Sequence, residues 1–191
     1  MVTEPGEEKR LKILDATLKL ISEKGFHGTA MSKVAKEAGV SAGIIYHYFE
    51  NKDELILELY KAQKRKMADA IYEGLDLAQP LSAQVRYIVE KCFRYHLTQP
   101  GITSFMQQFG TSPYFTCQVE TEMRVHTKGI TDIMDRAQKE MIIKDLPGPV
   151  FGTLIIDVAS SLAQKQAVGL IELTDELVDD IVDAVWAAIR Y

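Results

Sequence analysis

The chain has 191 residues, of which 47% are hydrophobic and 26% charged, and a formal net charge of −5. That length suits one domain or a small module joined to a larger one, and the composition excludes a disordered, fibrous or collagen-like chain. An acidic balance also argues against nucleic acid as a partner unless the basic residues are gathered in one place. Cys92 and Cys117 are too few for a disulfide framework, and neither belongs to a CxxC pair. The opening residues MVTEPGEEKRLK are polar where a signal peptide is apolar. The longest mainly apolar stretch, 150–163, is broken by Gly152, Thr153, Asp157, Ser160 and Ser161, and is shorter than the roughly 18 to 20 residues a bilayer requires. A cytoplasmic protein with no membrane segment is expected.

Helical periodicity runs along almost the whole chain. Leu11, Leu14, Leu18 and Ile21 recur at three- and four-residue spacing, with Lys12, Asp15, Lys19 and Glu23 on the other face and Gly25 as the stop. Helices are predicted next over 29–38, 41–49 and 51–74, with Thr29, Ser41 and Asn51 as caps and Glu54 three residues beyond Asn51. After a loop come helices over 82–97, which Pro100-Gly101 ends, and 102–109, then a long one over 115–143 that finishes before Pro147-Gly148-Pro149. Helices over 150–168 and 175–189, the second capped by Thr174, close the chain. Nine helices and no strand pattern, repeat or low-complexity tract define an all-α protein. The short elements form an N-terminal three-helix domain over 1–52, and the longer ones a helical bundle over 53–191.

Residues 29–49 carry the chemistry. Two short helices around Gly39-Val40-Ser41 fit a helix-turn-helix: Ala35 permits close approach, Gly39 takes the left-handed turn, Val40 plugs the corner and Ser41 caps the second helix. Ile45 and Phe49 lie four apart and face Val34 and Ala38, which leaves Ala42, Gly43, Ile44, Tyr46 and His47 outside. A face that begins with two very small residues can approach DNA closely and enter the major groove. The helix N-terminus and the Tyr46 hydroxyl suit phosphate, His47 a phosphate or base edge, and Ile44 a thymine methyl. Lys52, just past the helix, and the Thr29 hydroxyl are placed for the backbone.

Gly25-Phe26, Thr29, the run Val34-Ala-Lys-Glu-Ala-Gly-Val-Ser41, then Gly43, Tyr46, Tyr48-Phe49 and Lys52-Asp-Glu-Leu55 resemble the signature of TetR-family transcriptional regulators. The resemblance spans about residues 9 to 60. It implies a homodimeric repressor with an N-terminal DNA-binding domain and a larger effector-binding and dimerising domain, released from its operator by a small molecule. It also implies that Thr29, Ser41, Gly43, Tyr46, His47 and Lys52 approach DNA. One departure is Ala42, where the family often has Lys.

Phe93, Phe105, Met106, Phe109, Tyr114, Phe115, Met123 and Met134 are the candidate lining of a cavity for an apolar effector, against the reading that such residues are ordinary core. Phe151, Leu154, Ile155, Val158 and Leu162, with Leu177, Ile181, Val185, Trp186 and Ile189, form stripes wide enough for a four-helix homodimer interface. Such a dimer predicts a palindromic operator on double-stranded DNA, with half-sites roughly 34 Å or somewhat more apart. His96, Glu122, His126 and Cys117 read as scattered polar residues rather than a metal site, and Lys61, Lys64, Arg65 and Lys66 as a solvated face. No cofactor is expected. Gly39-Val-Ser41-Ala-Gly43 matches a hydrolase nucleophile elbow, but a helix precedes it where the elbow needs a strand, so an enzyme is not expected. A helical protein-interaction module or a small helical enzyme are the alternatives. Charge is divided unevenly: 9–52 carries +4, 1–8 carries −3 and 53–191 carries −6. The basic residues are therefore gathered in the part that resembles a DNA reader.

Overall fold

The computed structural model describes residues 5–191, which form nine helical rods. Helix α1 (Pro5–Gly28) opens on Glu7 and Glu8, which suit the positive end of the helix dipole, and its path breaks at Gly25 with φ 68° and ψ 177°. Gly25 is thus the stop, and residues 26–28 add one further turn. The buried stripe of α1 is Ile13, Leu14, Thr17, Leu20 and Ile21, whereas the expected Leu11 and Leu18 are half-exposed. Both α2 and α6 pack on α1, so the enclosed face is centred between them.

Helices α2 (Met31–Ala38) and α3 (Ala42–Tyr48) make the helix-turn-helix. Gly39 adopts φ 67° and ψ 31°, the left-handed conformation that favours glycine, and the Val40 N–H donates to the Ala35 carbonyl at 3.0 Å. Ile45 and Phe49 are buried with Val34 and Ala35. Two expected caps differ. Ala30, not Thr29, precedes α2, and Ser41 holds the cap position of α3 without a side-chain bond. Asn51 does cap α4 (Lys52–Tyr72), accepting from the Glu54 N–H at 2.9 Å, while the Glu54 carboxylate accepts from the Glu50 N–H.

Helix α5 (Leu81–Thr98) is followed at once by α6 (Pro100–Gly110). Pro100 therefore starts a helix as well as ending one, because its missing N–H costs nothing in a first turn. Helix α7 (Cys117–Lys139) is capped by Thr116 and stops short of residue 143. Met141 there has φ 53°, and Ile143 joins Arg190 in an isolated antiparallel bridge that clips the chain end to the loop. The rod from α8 (Gly148–Gly152) passes through a π-helical turn (Thr153–Asp157) into α9 (Val158–Ala167). Last comes α10 (Asp175–Ile189), with the Thr174 hydroxyl accepting from the Leu177 N–H at 3.3 Å.

Two buried cores result. One is centred on α5, where Val85, Val89 and Phe93 meet Ile155 and Ala159 on one side and Val182 and Ile189 on the other. The other begins in the helix-turn-helix and continues past residue 52 through Leu55, Ile56 and Leu59 of α4 to Phe105 and Phe109 of α6 and Met123 of α7.

Candidate nucleic-acid interface and effector cavity

Burial of Ile45 and Phe49 decides which face of α3 is outside. Ser41, Ala42, Gly43, Tyr46 and His47 are exposed together, and Tyr46 reaches 56% exposure. A Cβ at Gly43 would meet only the Ser41 Oγ, at 4.0 Å, so nothing in the chain's own packing requires glycine there. Glycine inside a helix is less stable than alanine by up to about 1 kcal/mol, and here that cost leaves the backbone open to close approach from outside. Ile44 departs from the expected exposed set: it is half-buried against the head core.

The two flanking positions behave differently. Thr29 is 2% exposed and its hydroxyl donates to the Gly25 carbonyl at 3.0 Å, so it is tied down within the head rather than standing free at the mouth of α2. The broken turn at Gly25 supplies that carbonyl. Lys52 is half-exposed at the start of α4, and its Nζ donates to the Phe26 carbonyl. The ammonium thereby sits at the junction of α1 and α4 and retains two further donors.

A cavity of about 610 Å³ opens between α4, α6, the start of α7 and the π-helical turn, within the size range of small-molecule sites. Of the eight expected lining residues, Met106, Phe109 and Phe115 line it. Phe93, Phe105 and Met123 are instead sealed in the cores, Met134 packs against the α5 core, and Tyr114 packs on the head core while its hydroxyl donates to Asp53 at 2.8 Å. Aromatic spacing on a helix does not distinguish a core wall from a cavity wall, which explains the mixture. The polar wall was not apparent from local sequence. Tyr60 stacks on Phe109 at 4.0 Å and donates to Glu120 at 2.6 Å, and Lys64 pairs with Glu120 at 3.2 Å. Burial, then this hydrogen bond, push the Tyr60 hydroxyl well above the ordinary tyrosine range, while Lys64 and Tyr60 together outweigh burial to hold Glu120 low. The basic run on α4 is therefore only in part a solvated face: Lys61 and Lys64 pair with α7, while Lys66 stays exposed beside Asp15 of α1.

Four of the expected interface residues, Phe151, Ile155, Val185 and Ile189, are buried in the chain's own core. They turn inward because α5 lies between α9 and α10 and draws on both. Leu154, Val158, Leu162, Leu177, Ile181 and Trp186 remain half-exposed. His96 is buried, whereas Cys117, Glu122 and His126 are exposed, and among the described residues no three His, Cys, Asp or Glu side chains gather as metal ligands.

A helix-turn-helix with an open recognition face, carried on a helical bundle with a cavity, is the build of a ligand-responsive DNA-binding protein. Residues 13–59 match the model of bacterial regulatory proteins of the tetR family, and residues 80–190 match the tetracyclin repressor-like C-terminal domain. The chain belongs to the TetR family and is a DNA-binding transcriptional regulator. It is 26% identical over 181 residues, 94% of each chain, to an uncharacterized HTH-type transcriptional regulator of Haemophilus influenzae. The crystal structure of a TetR family transcription regulator from Marinobacter aquaeolei superposes with a TM-score of 0.87 at 25% identity, covering 96% of both chains. A fatty acid metabolism regulator protein of Bacillus subtilis is 32% identical over 85 residues, 44% of each chain. Among the described residues no helix is long and apolar enough to cross a membrane.

Proposed function

We propose that the chain is a homodimeric repressor that binds a palindromic operator through α3 and is released when a small, largely apolar effector enters the cavity. The observation that carries the DNA-reading part is the unneeded glycine at 43 beside the exposed Tyr46. Ser41, Ala42, Gly43, Tyr46 and His47 form the reading face, with Ile44 at its edge and Lys52 on a flanking phosphate. Residues 1–52 act as the reader, and 53–191 as the effector-binding and dimerising part.

The effector's apolar character is supported by Met106, Phe109, Phe115 and Ile156 on the cavity wall, and agrees with the name of the Bacillus subtilis relative. A molecule there bears on Phe109, and through its stacking on Tyr60 it bears on α4 and α6 at once. Both helices contact α1, so the position of each head follows the state of the cavity. No reaction is assigned to the chain.

A mobility-shift titration on the DNA upstream of its own gene tests the reading. Wild-type chain is expected to shift a palindromic fragment, and Tyr46→Ala with Lys52→Ala to weaken binding at least about tenfold, as the loss of two polar contacts implies. Binding that survives the double substitution overturns the assignment of α3.

A further inference from the structure

The broken end of α1 gathers two cations. Gly25 leaves the helix with φ 68°, and Gly28 is needed beside it, because a Cβ at 28 would meet the Lys24 Cβ at 2.7 Å. A helix end presents carbonyls that have no partner within the helix. Here two of them are taken by lysines from other elements: the Lys33 ammonium donates to the Gly28 carbonyl at 2.9 Å, and the Lys52 ammonium to the Phe26 carbonyl. These carbonyls lie two residues apart, so the two charges share one turn. One comes from α2, the helix before α3, and the other from the first residue of α4, the helix after it.

Like charges on one turn repel, and a carboxylate would ordinarily relieve them. The acids placed for it by sequence are engaged elsewhere. Glu37 stands one turn after Lys33, a spacing at which helical ion pairs form, yet it pairs with Lys19 at 2.6 Å. Asp53, next to Lys52, accepts from the Tyr114 hydroxyl at 2.8 Å, and Glu54 accepts from the Glu50 N–H. Among the described residues neither Lys33 nor Lys52 forms an ion pair, whereas Arg10, Lys12 and Lys19 of the same head do. Lys33 is exposed and Lys52 half-exposed, and each ammonium has two donors left.

We propose that turn 26–28 is a phosphate clamp: it presents the Lys33 and Lys52 ammoniums together to the sugar-phosphate backbone that flanks the groove entered by α3. The inference rests on the head being the DNA reader, and it adds Lys33 and the turn to the groups that hold the reader in place. In a helix-turn-helix the first helix crosses the backbone while the second enters the groove, and Lys33 lies on the exposed side of that first helix. DNA supplies the negative charge that the chain withholds from this turn. Two ammoniums already fixed on carbonyls lose little freedom when phosphates arrive, which favours binding. Ala42 brings no cation to the start of α3, so charge beside the groove comes from the flanking helices.

Fluorescence anisotropy at about 50 to 200 mM salt tests this on a palindromic fragment from upstream of the gene and on a scrambled duplex of the same length. Wild type is compared with Lys33→Gln, Lys33→Arg, Lys52→Gln and Lys12→Gln. Lys33→Gln and Lys52→Gln are each expected to flatten the slope of log affinity against log salt by about 0.9 for every head bound, on both duplexes, and Lys33→Arg to restore it. Lys12→Gln removes the same charge from an ion pair with Glu8 and should leave the slope unchanged. A slope unmoved by Lys33→Gln overturns the clamp, even where binding weakens or thermal melting shifts, because Lys33 would then serve only to close the end of α1. An equal change in Lys12→Gln overturns it as well, since the effect would be one of net charge. Wild type that binds the palindrome no better than the scrambled duplex counts against α3 as the reader, and the slopes on the scrambled duplex still decide the clamp. No binding to either duplex overturns both.

Discussion

Gly43 is informative because the chain does not need it. With open space around a Cβ at that position, Gly43→Leu is expected to fold normally and to gain at most about 1 kcal/mol of helix stability, yet to lose operator binding. Thermal melting and a mobility shift on the same samples check both halves. His96 makes a different prediction. Burial, then the charge of Lys64, push its pKa from 6.5 down to about 4. Between those values the unfolded chain binds a proton on the ring that the folded chain refuses, so stability falls as pH drops through the window and is unaffected by this ring above it. The full loss amounts to about 3 kcal/mol. Urea unfolding of wild type and His96→Gln from pH 7.5 to 4 should show the difference narrowing toward acid, and a constant difference would contradict a buried neutral ring. The exposed face of α3 was legible at this level, because the period of a short helix with two fixed inward residues, Ile45 and Phe49, leaves little choice for the others. Thr29 was not, since its burial follows from a carbonyl that a broken turn four residues earlier presents.

Helix α6 joins what its position in the chain keeps apart. Gln108 donates to the Ile21 carbonyl at 3.2 Å, satisfying an end group of α1 from 87 residues away, and Phe105 meets Phe26 edge-on at 6.2 Å. Tyr114, just beyond α6, packs on the other side of Phe26 at 5.6 Å. The head therefore does not close its core alone. Phe105→Ala is expected to destabilise the chain by about 3–5 kcal/mol and to do so in a single transition. Circular dichroism reports all helices and fluorescence of Trp186 reports only the C-terminal part, so two separated midpoints would show that the head unfolds independently. Helix positions, and caps such as Asn51 and Thr174, follow from local signals and were readable. The service of Phe105 and Tyr114 to the head was not, because a period of 3.6 identifies an apolar side without naming what covers it.

The assembled regulator divides its charge and its apolar surface in different ways. Basic residues gather in 9–52 and acidic ones in the body, which favours DNA at one end and discourages loose binding along the rest. The apolar surplus lies on the C-terminal helices, where Leu154, Val158 and Leu162 of the α8–α9 rod and Leu177, Ile181 and Trp186 of α10 stay half-exposed. Leu154→Asp with Ile181→Asp is expected to yield a monomer, seen by light scattering as the 21.5 kDa chain mass in place of twice that value, and to lose palindrome binding with it. A wild-type monomer at micromolar concentration would contradict the interface. The existence of two stripes was legible in the sequence. Their inner halves, Phe151, Ile155, Val185 and Ile189, were assigned to a partner because single-chain periodicity cannot show that α5 already claims them.

The π-helical turn at Thr153–Asp157 has a consequence for ancestry. A turn closed by i to i+5 bonds stores one residue more than an α turn, so a single-residue insertion can be held there without rotating the helix that follows. Ala159 then keeps its place in the α5 core whether or not the extra residue is present. Deleting Thr153 is expected to leave the helix content intact and to reshape the turn, with the cavity wall and Leu154 in it. Deleting Gln164 instead turns everything beyond it in the rod by about 100°. A residue gained or lost at this point thus alters the cavity wall and Leu154 within the turn, while the helix that follows keeps the face it turns to α5.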